Sequence, residues 1–361
     1  MIKVYASPER YVQGPGALEK LGEYARVFSD SAILVIGRTA QNQHGQRIAL
    51  ICEGSNVRLR QIVFSGEITR AAVDAMAARS GDAQAGVLIA MGGGKVLDAG
   101  KAVALRLKLP YITVPTIASN DSPASHLAIL YNDQHAVVAV ERLARMPEVV
   151  VVDTTLIAAS PVHFLRQGIG DAVSKKFEVE GCWQGGGKNF FGTRPLRTAT
   201  AIADGCYRIL RTHAAAAIRA VEQQEVSDDL EAVVEACVLM SALAFENGGI
   251  SVAHALPTGL ASARGASRAS HGEQVAYGLL VHLAAEERTD AFIMDIIGFY
   301  REIGLPVMLA ELGMSAPTSD EINEIARLAM KGGFTRNLQR PVDQSLLAAA
   351  IRRIETLATH Q

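Results

Sequence analysis

A chain of 361 residues is long enough for two domains, and 49% hydrophobic against 20% charged residues is a globular composition tilted toward a large interior. With 35 Lys and Arg against 37 Asp and Glu, a formal net charge of −2 and no basic stripe, the composition argues against nucleic acid as a partner. No apolar run reaches membrane-spanning length and residues 1–10 lack a signal-peptide core, so a soluble cytoplasmic protein without a membrane role is expected.

Residues 2–5 and 11–12 read as short strands before a Gly14-Pro15-Gly16 turn, and 17–28 as a helix. Residues 32–36 are a buried strand stopping at Gly37-Arg38-Thr39, a place where a nucleotide can meet a strand's carboxyl end. A helix over about 46–54, a strand over about 57–64 and a helix over about 69–79 follow. Residues 86–91 are continuously apolar, as in a strand covered on both faces of a parallel sheet. Gly92-Gly93-Gly94 then lead into a helical pattern from Lys95 to Leu105. A strand, a turn without side chains and a helix N-terminus present unpaired N–H groups and a positive dipole end, which suit a diphosphate. The motif is neither G-x-G-x-x-G nor a P-loop, because Val96 follows Lys95; on its own it fits a tight turn equally well.

Residues 111–114 form another strand, ended by Pro115, and 115–123 make a hydroxyl-rich loop between prolines. Residues 126–131 and 136–140, joined by Asn132-Asp133-Gln134-His135, read as a hairpin, and 148–152 as a last buried strand. Residues 1–155 are therefore expected to be an α/β domain with an open, mainly parallel sheet. Beyond Asp153 the strand signals vanish. Residues 161–183, 194–211, 214–224, 228–246, 272–288, 292–303, 319–330 and 343–356 are helical in pattern, so residues 156–361 are expected to be an all-α domain. The four cysteines, Cys52, Cys182, Cys206 and Cys237, have no C-x-x-C spacing and read as buried free thiols.

Three polar positions stand out in the helical half. Asp171 ends Gly168-Ile169-Gly170-Asp171, His254 sits in an apolar run, and His271 follows Ser270 in an S-x-x-E capping box with Glu273. Two imidazoles and a carboxylate with an open position are the ligand set of a catalytic zinc, or of ferrous iron. The gaps, 254 − 171 = 83 and 271 − 254 = 17 residues, enforce no local geometry. Each residue also has a plain structural reading, as a solvated helix residue, a satisfied core histidine or an exposed first-turn residue. His282 reads as a core histidine, and Gly185-Gly186-Gly187-Lys188 as a helix break.

Gly92-Gly93-Gly94-Lys95-Val96-Leu97-Asp98-Ala99-Gly100-Lys101 resembles the GGGxxxDxxK signature of the iron-containing (group III) metal-dependent alcohol dehydrogenases. The 115–123 loop, Gly168-Ile169-Gly170-Asp171, Ala253-His254-Ala255 and His271-Gly272-Glu273-Gln274-Val275-Ala276-Tyr277-Gly278 resemble its glycerol dehydrogenase branch, in the same order and over nearly the whole chain. The resemblance implies an N-terminal Rossmann-like domain, a helical C-terminal domain, an active site in the cleft between them, and an assembly of several subunits. Asp171, His254 and His271 would then hold the metal, Zn2+ with Fe2+ as the alternative. Gly93, Gly94 and Lys95 would hold the diphosphate of NAD(H), with Asp98 near the carboxamide and Thr116, Ser119, Ser125, Leu127 and Tyr131 along the rest of the groove. Asp121 would contact the hydroxyls of a small polyol, or of the hydroxyketone formed from it, and help relay the proton. The implied reaction passes hydride between a vicinal diol and the nicotinamide, the ion lowering a hydroxyl pKa.

Two departures bear on substrate and cofactor. Where NAD-dependent members carry an acid after the second strand's glycine, this chain has Arg38, which can pair with a 2′-phosphate, so NADP(H) is a live expectation. Pro257 replaces a histidine of the family's AHAxHNG, which leaves larger diols, hydroxyketones or hydroxy acids open as substrates. A hydroxycarboxylate or 2-oxo acid reductase using NADPH is one alternative. A dehydroquinate-synthase-like cyclase ranks lower, because the loop offers Asn120, Asp121 and Ser122 instead of a cationic cluster. A nucleotide sensor without chemistry ranks lower still, given the intact ligand set.

Overall fold

The apolar runs of the first half become strands of one parallel sheet in the computed structural model, which describes residues 2–80, 84–132 and 137–359. In chain order the strands are β1 (Arg10–Gly14), β2 (Ser31–Gly37), β3 (Arg58–Phe64), β4 (Val87–Gly92), β5 (Tyr111–Pro115), β6 (Leu127–Tyr131), β7 (Val137–Arg142) and β8 (Val149–Asp153). Six of them form an all-parallel sheet in the order β1-β8-β5-β4-β2-β3, while β6 and β7 pair antiparallel. Every residue of β2, β4, β5 and β8 is buried, as expected where helices cover both faces.

Side chains alternate between two cores. Leu34, Ile36, Ile89 and Met91 pack with α1 (Leu21–Phe28) and α2 (Arg38–Gly54). Ile33, Val35, Leu88 and Ala90 pack with α3 (Arg70–Ser80), α4 (Gly94–Leu107) and the β6–β7 pair. After β2 the chain moves to β3 on one side, and after β4 it moves to β5 on the other. The topological switch point therefore lies at the carboxyl ends of β2 and β4.

The remaining helices are α5 (Thr154–Ala158), α6 (Val162–Val173), α7 (Lys175–Gln184), α8 (Arg197–Glu222), α9 (Asp228–Glu235), α10 (Ser241–Gly248), α11 (Val252–Leu260), α12 (His271–Ala285), α13 (Asp290–Ile303), α14 (Ser319–Ala329) and α15 (Gln344–Thr359). The chain divides into two compact units, Ser7–Pro161 with Ala220–Leu239, and Met1–Ala6 with Val162–Arg219 and Met240–Gln361. The first break in the chain falls at Pro161, after α5, which continues directly from β8 with its first turn capped by Asp153. Residues 220–239 return to the α/β unit, where the Glu231 carboxylate accepts from Gln13 Nε2 and Thr154 Oγ1, each at 2.6 Å.

Several elements differ from expectation. Residues 2–5 are not a strand: Val4 and Ala6 N–H donate to Thr193 Oγ1 and Asn247 Oδ1, and the Asn189 and Asn247 amides donate back to their carbonyls. Side chains satisfy this backbone in place of a neighbouring strand. Helix α2 begins at Arg38, not near 46, so Arg38 stands in a first turn at the end of β2. The expected segments 194–211 and 214–224 are one 26-residue helix, α8, within which Thr212 Oγ1 bonds back to the Arg208 carbonyl. The expected helix 161–183 divides at Ser174, whose hydroxyl donates to the Asp171 carbonyl. Both strands of the hairpin are present, but Asp133, Gln134, His135 and Ala136 lie outside the described residues. Among the described residues no single helix is long and apolar enough to cross a membrane. Cys52, Cys182, Cys206 and Cys237 are buried and not joined in disulfides.

Candidate active site

Three helices of the helical unit each contribute one candidate ligand: Asp171 from α6, His254 from α11 and His271 from α12. Glycines beside these residues let the backbones touch. A Cβ on Gly272 would stand 2.0 Å from the Gln167 carbonyl oxygen on α6, and one on Gly170 would stand 2.7 Å from that of Gly272. A Cβ on Gly278 of α12 would stand 2.4 Å from the carbonyl oxygen of Ala253, the residue before His254. Pro257 lies inside α11 and offers no N–H to that same Ala253 carbonyl. Pro257 thus sits one turn beyond a close helix–helix approach.

The ligand atoms of Asp171, His254 and His271 all lie within 4.8 Å of one another, the one such group among the described residues. Asp171 Oδ1 is 3.1 Å from His254 Nε2, and the two imidazole centroids are 5.6 Å apart. His254 Nδ1 is 2.5 Å from Glu178 Oε2, a contact in which the ring nitrogen donates, so Nε2 is turned toward Asp171. The other oxygen of Glu178 accepts the backbone N–H groups of Ser251 and His254 at 2.8 and 3.0 Å. A buried carboxylate thereby caps the N-terminus of α11 and aims its histidine at once. The Lys175 ammonium lies 2.7 Å from Asp171 Oδ1 and 2.9 Å from His254 Nε2, its side chain 1% exposed.

These charges shift one another. Burial works against the Asp171 carboxylate, but Lys175 and then His254 outweigh it and hold its pKa below the ordinary range. Burial is likewise outweighed at Glu178, where His254 and Lys175 bring the pKa down to about 2. At His254 burial is overcome by the Glu178 and Asp171 carboxylates, raising the pKa to about 9. His271 is the exposed member of the three; protein packed around its ring, with the neighbouring His254 and Lys175 cations, still brings its pKa down to about 4, a neutral imidazole at pH 7. A His raised from 6.5 to about 9 stabilises the fold fully below pH 6.5, and that contribution is lost as pH rises through about 9. In chelator-stripped protein it is worth at most about 3 kcal/mol. The urea midpoint should therefore fall between pH 6.5 and pH 9.5 more in the parent than in His254→Asn; equal falls would contradict it.

The expected cofactor residues all lie in the α/β unit. Arg38 opens α2 and is exposed; Gly93 caps α4, which begins at Gly94, so these residues flank the switch point. A Cβ on Gly94 would stand 2.5 Å from the Asn120 amide nitrogen, and one on Gly93 would stand 2.9 Å from Ile117 Cδ1, so a side chain at either position would have to push those side-chain ends aside. Lys95 pairs with Glu67 at 2.7 Å. Thr116 follows β5 and donates its N–H to Gly92, while Ser119 and Asp121 continue the half-buried loop. Asp98 accepts from Ser122 Oγ at 2.6 Å and Ile129 N–H at 3.1 Å and pairs with buried Lys101, tying α4 to the loop and the hairpin. Ser125 Oγ accepts the Leu127 N–H at the start of β6. Tyr131 ends that strand, its phenol pushed up to about 12 by burial and then by Asp98.

Sequence reasoning missed Lys175 and Glu178. With Asp171 they stand at i, i+4 and i+7, one face of a helical run, and that spacing was a usable signal. His282 is buried, with Nε2 3.3 Å from Glu286, and α7 ends at Gln184 before the Gly185–Lys188 break.

Residues 8–154 match the family described as iron-containing alcohol dehydrogenase. The chain is 36% identical over 344 residues to a glycerol dehydrogenase from Thermotoga maritima, covering 95% of this chain and 94% of that one. It is 35% identical over 329 residues to a glycolaldehyde reductase from Halobacterium salinarum, covering 91% and 90%. The solved structure of a probable glycerol dehydrogenase from Sinorhizobium meliloti superposes with a TM-score of 0.93 at 31% identity, over 100% of both chains. Matches of this identity and coverage, with the six-stranded parallel sheet, the glycine turn and the Asp-His-His cluster, make the chain a member of the glycerol dehydrogenase branch of the iron-containing alcohol dehydrogenase family.

Proposed function

We propose that the chain interconverts a small vicinal diol of the glycerol type and its hydroxyketone, with a nicotinamide cofactor as hydride partner and a divalent ion held by Asp171, His254 and His271. The family implies NAD(H) and a divalent ion; Zn2+, with Fe2+ as the alternative, is our assignment. The observation that carries the reading is the convergence of three donors, from three helices and residues 83 and 17 positions apart, to within 4.8 Å. The donor set fits such an ion. Two imidazoles and one carboxylate leave a position open for substrate, Glu178 fixes the orientation of His254, and a cationic side chain already stands beside two of the three donors.

When bound, the ion supplies the Lewis acidity that lowers the pKa of a substrate hydroxyl. The rest falls to the chain's own groups. Asp171 contributes the buried negative charge, and His271, neutral at pH 7, offers a lone pair without losing a proton. Gly93 and Gly94 expose the first N–H groups of α4 to a diphosphate, and Lys95 joins them by leaving Glu67, a half-exposed ion pair of small worth. We assign Thr116, Ser119, Ser125, Leu127 and Tyr131 to the remaining cofactor groove, Asp98 to the carboxamide end and Asp121 to the substrate hydroxyls and proton relay. We also place the protein in the cytoplasm as an assembly of like subunits, which sedimentation of purified protein tests.

The test is a panel of glycerol, propane-1,2-diol, butanediols, hydroxyacetone, glycolaldehyde and 2-oxo acids with each cofactor, before and after chelation and Zn2+ restoration. Diol oxidation or hydroxycarbonyl reduction that disappears on chelation and returns with the ion is expected; turnover of 2-oxo acids alone would overturn the substrate assignment. Arg38 in the first turn after β2 points to NADP(H) as a usable cofactor. Arg38→Ala should lower kcat/KM for NADP(H) by roughly 10-fold or more while leaving that for NAD(H) nearly unchanged. A large NAD(H) preference untouched by the substitution would contradict it.

A further inference from the structure

We propose that Lys175 is a displaceable internal cation, which holds the metal centre together when no ion is bound and must leave Asp171 and His254 for a divalent ion to bind. The proposal rests on the reading of Asp171, His254 and His271 as that centre.

Lys175 is nearly inaccessible, with its ammonium 5.6 Å from the centroid of the Phe245 ring. A buried ammonium is costly unless paired, and this one is paired with two of the three residues whose donor atoms converge. The exclusion follows from His254. Its Nδ1 is committed to Glu178, so Nε2 is the ring nitrogen that faces the centre. Nε2 can lie 2.9 Å from the Lys175 ammonium or ligate a metal ion, and cannot do both. The donor atoms need little rearrangement: Asp171 Oδ1 and His254 Nε2 are 3.1 Å apart, close to the roughly 3.3 Å between two tetrahedral ligands at the usual zinc distances.

Charge gives the same answer. Asp171 and Glu178 bring two buried negative charges to the cluster. A divalent ion without Lys175 makes it neutral, whereas both cations together leave an excess positive charge out of water. Lys175 is well suited to leaving, since it is a compact charge on a flexible four-carbon stem and opens α7 just after the Ser174 break. The metal-free protein therefore keeps its carboxylates paired, and the observed metal affinity is reduced by whatever lysine displacement costs.

The experiment titrates chelator-stripped, full-length protein with Zn2+ alone against a chromogenic chelator, for the parent, Lys175→Met and Lys175→Gln, with His271→Ala as control. Lys175→Met keeps the length and loses the charge. It should bind Zn2+ at least tenfold more tightly than the parent, melt lower when metal-free and recover the difference when loaded; Lys175→Gln should move the same way. Unchanged or weaker Zn2+ binding in variants whose circular dichroism is intact would overturn the proposal while leaving the centre standing. If Lys175→Met folds only with Zn2+ present, slower extraction of the ion by chelator than from the parent supports the proposal, and equal or faster extraction refutes it. No Zn2+ binding by the parent or by either lysine variant would remove the centre itself, and the proposal with it. A parent that binds none beside a Lys175→Met that binds well would support it most strongly.

Discussion

His271→Ala should fold normally yet lose on the order of 10³-fold or more in kcat/KM for the best diol, together with tight binding of the divalent ion. His271 is a neutral imidazole on the first turn of α12, its pKa down at about 4, and it carries no charge that the fold needs. Removing it therefore takes away a ligand without stranding a buried ion, so the loss should appear in activity and metal content before stability. Glu178→Gln gives the contrast. It weakens the partner that turns His254 Nε2 toward Asp171 but keeps the side chain's volume and part of its hydrogen bonding to the N-terminus of α11. A loss of about 10- to 100-fold in metal affinity is expected there. Metal content and kcat/KM measured on both variants decide it, and a Glu178→Gln loss exceeding that of His271→Ala would reverse the assigned roles.

Gly272→Val should be the most damaging substitution to the fold around the centre. The Cβ would meet the backbone of Gln167 at 2.0 Å, and backbone cannot swing aside as a flexible side chain can. Helices α6 and α12 would have to separate, carrying Asp171 away from His271. Overpacking of this kind costs about 1–3 kcal/mol or more. A fall in Tm together with loss of bound metal is expected, even though residue 272 is not a ligand. Gly298→Ala, at a helical glycine with nothing within 4 Å of an added Cβ, should leave both unchanged or raise Tm slightly. Full metal binding by Gly272→Val would show that the close approach of α6 and α12 does not position the ligands.

Much of this was legible in the sequence because it is local. A continuous apolar run, three glycines and a helical phase announce β4, its turn and α4 without reference to anything distant. The helical pattern from 272 and the Ser270–Glu273 box located α12 for the same reason. Asp171, His254 and His271 were different: their residue types suggested a ligand set and a resemblance reinforced it, but nothing local joins them until the helices bring them together. The glycines that make the grouping physical were visible as letters, but their partners, the carbonyls of Gln167 and Ala253, were not. Helix α11, not among the expected helices, carries Pro257 within it, where a proline usually ends a helix. Lys175 and Glu178 were hidden by their chemistry, since a lysine and a glutamate in a helix are normally solvated; burial reveals them as part of the site. Residues 2–5 looked like a strand because apolar and polar residues alternate there, yet the partners are asparagine side chains far along the chain.

The most direct test is metal content per chain, by plasma mass spectrometry after dialysis against Zn2+ and then buffer, in the parent and in Asp171→Asn, His254→Ala and His271→Ala. One ion per chain in the parent and none in each variant should be found. A full equivalent retained in two or more of the variants would mean that these three side chains do not form the centre.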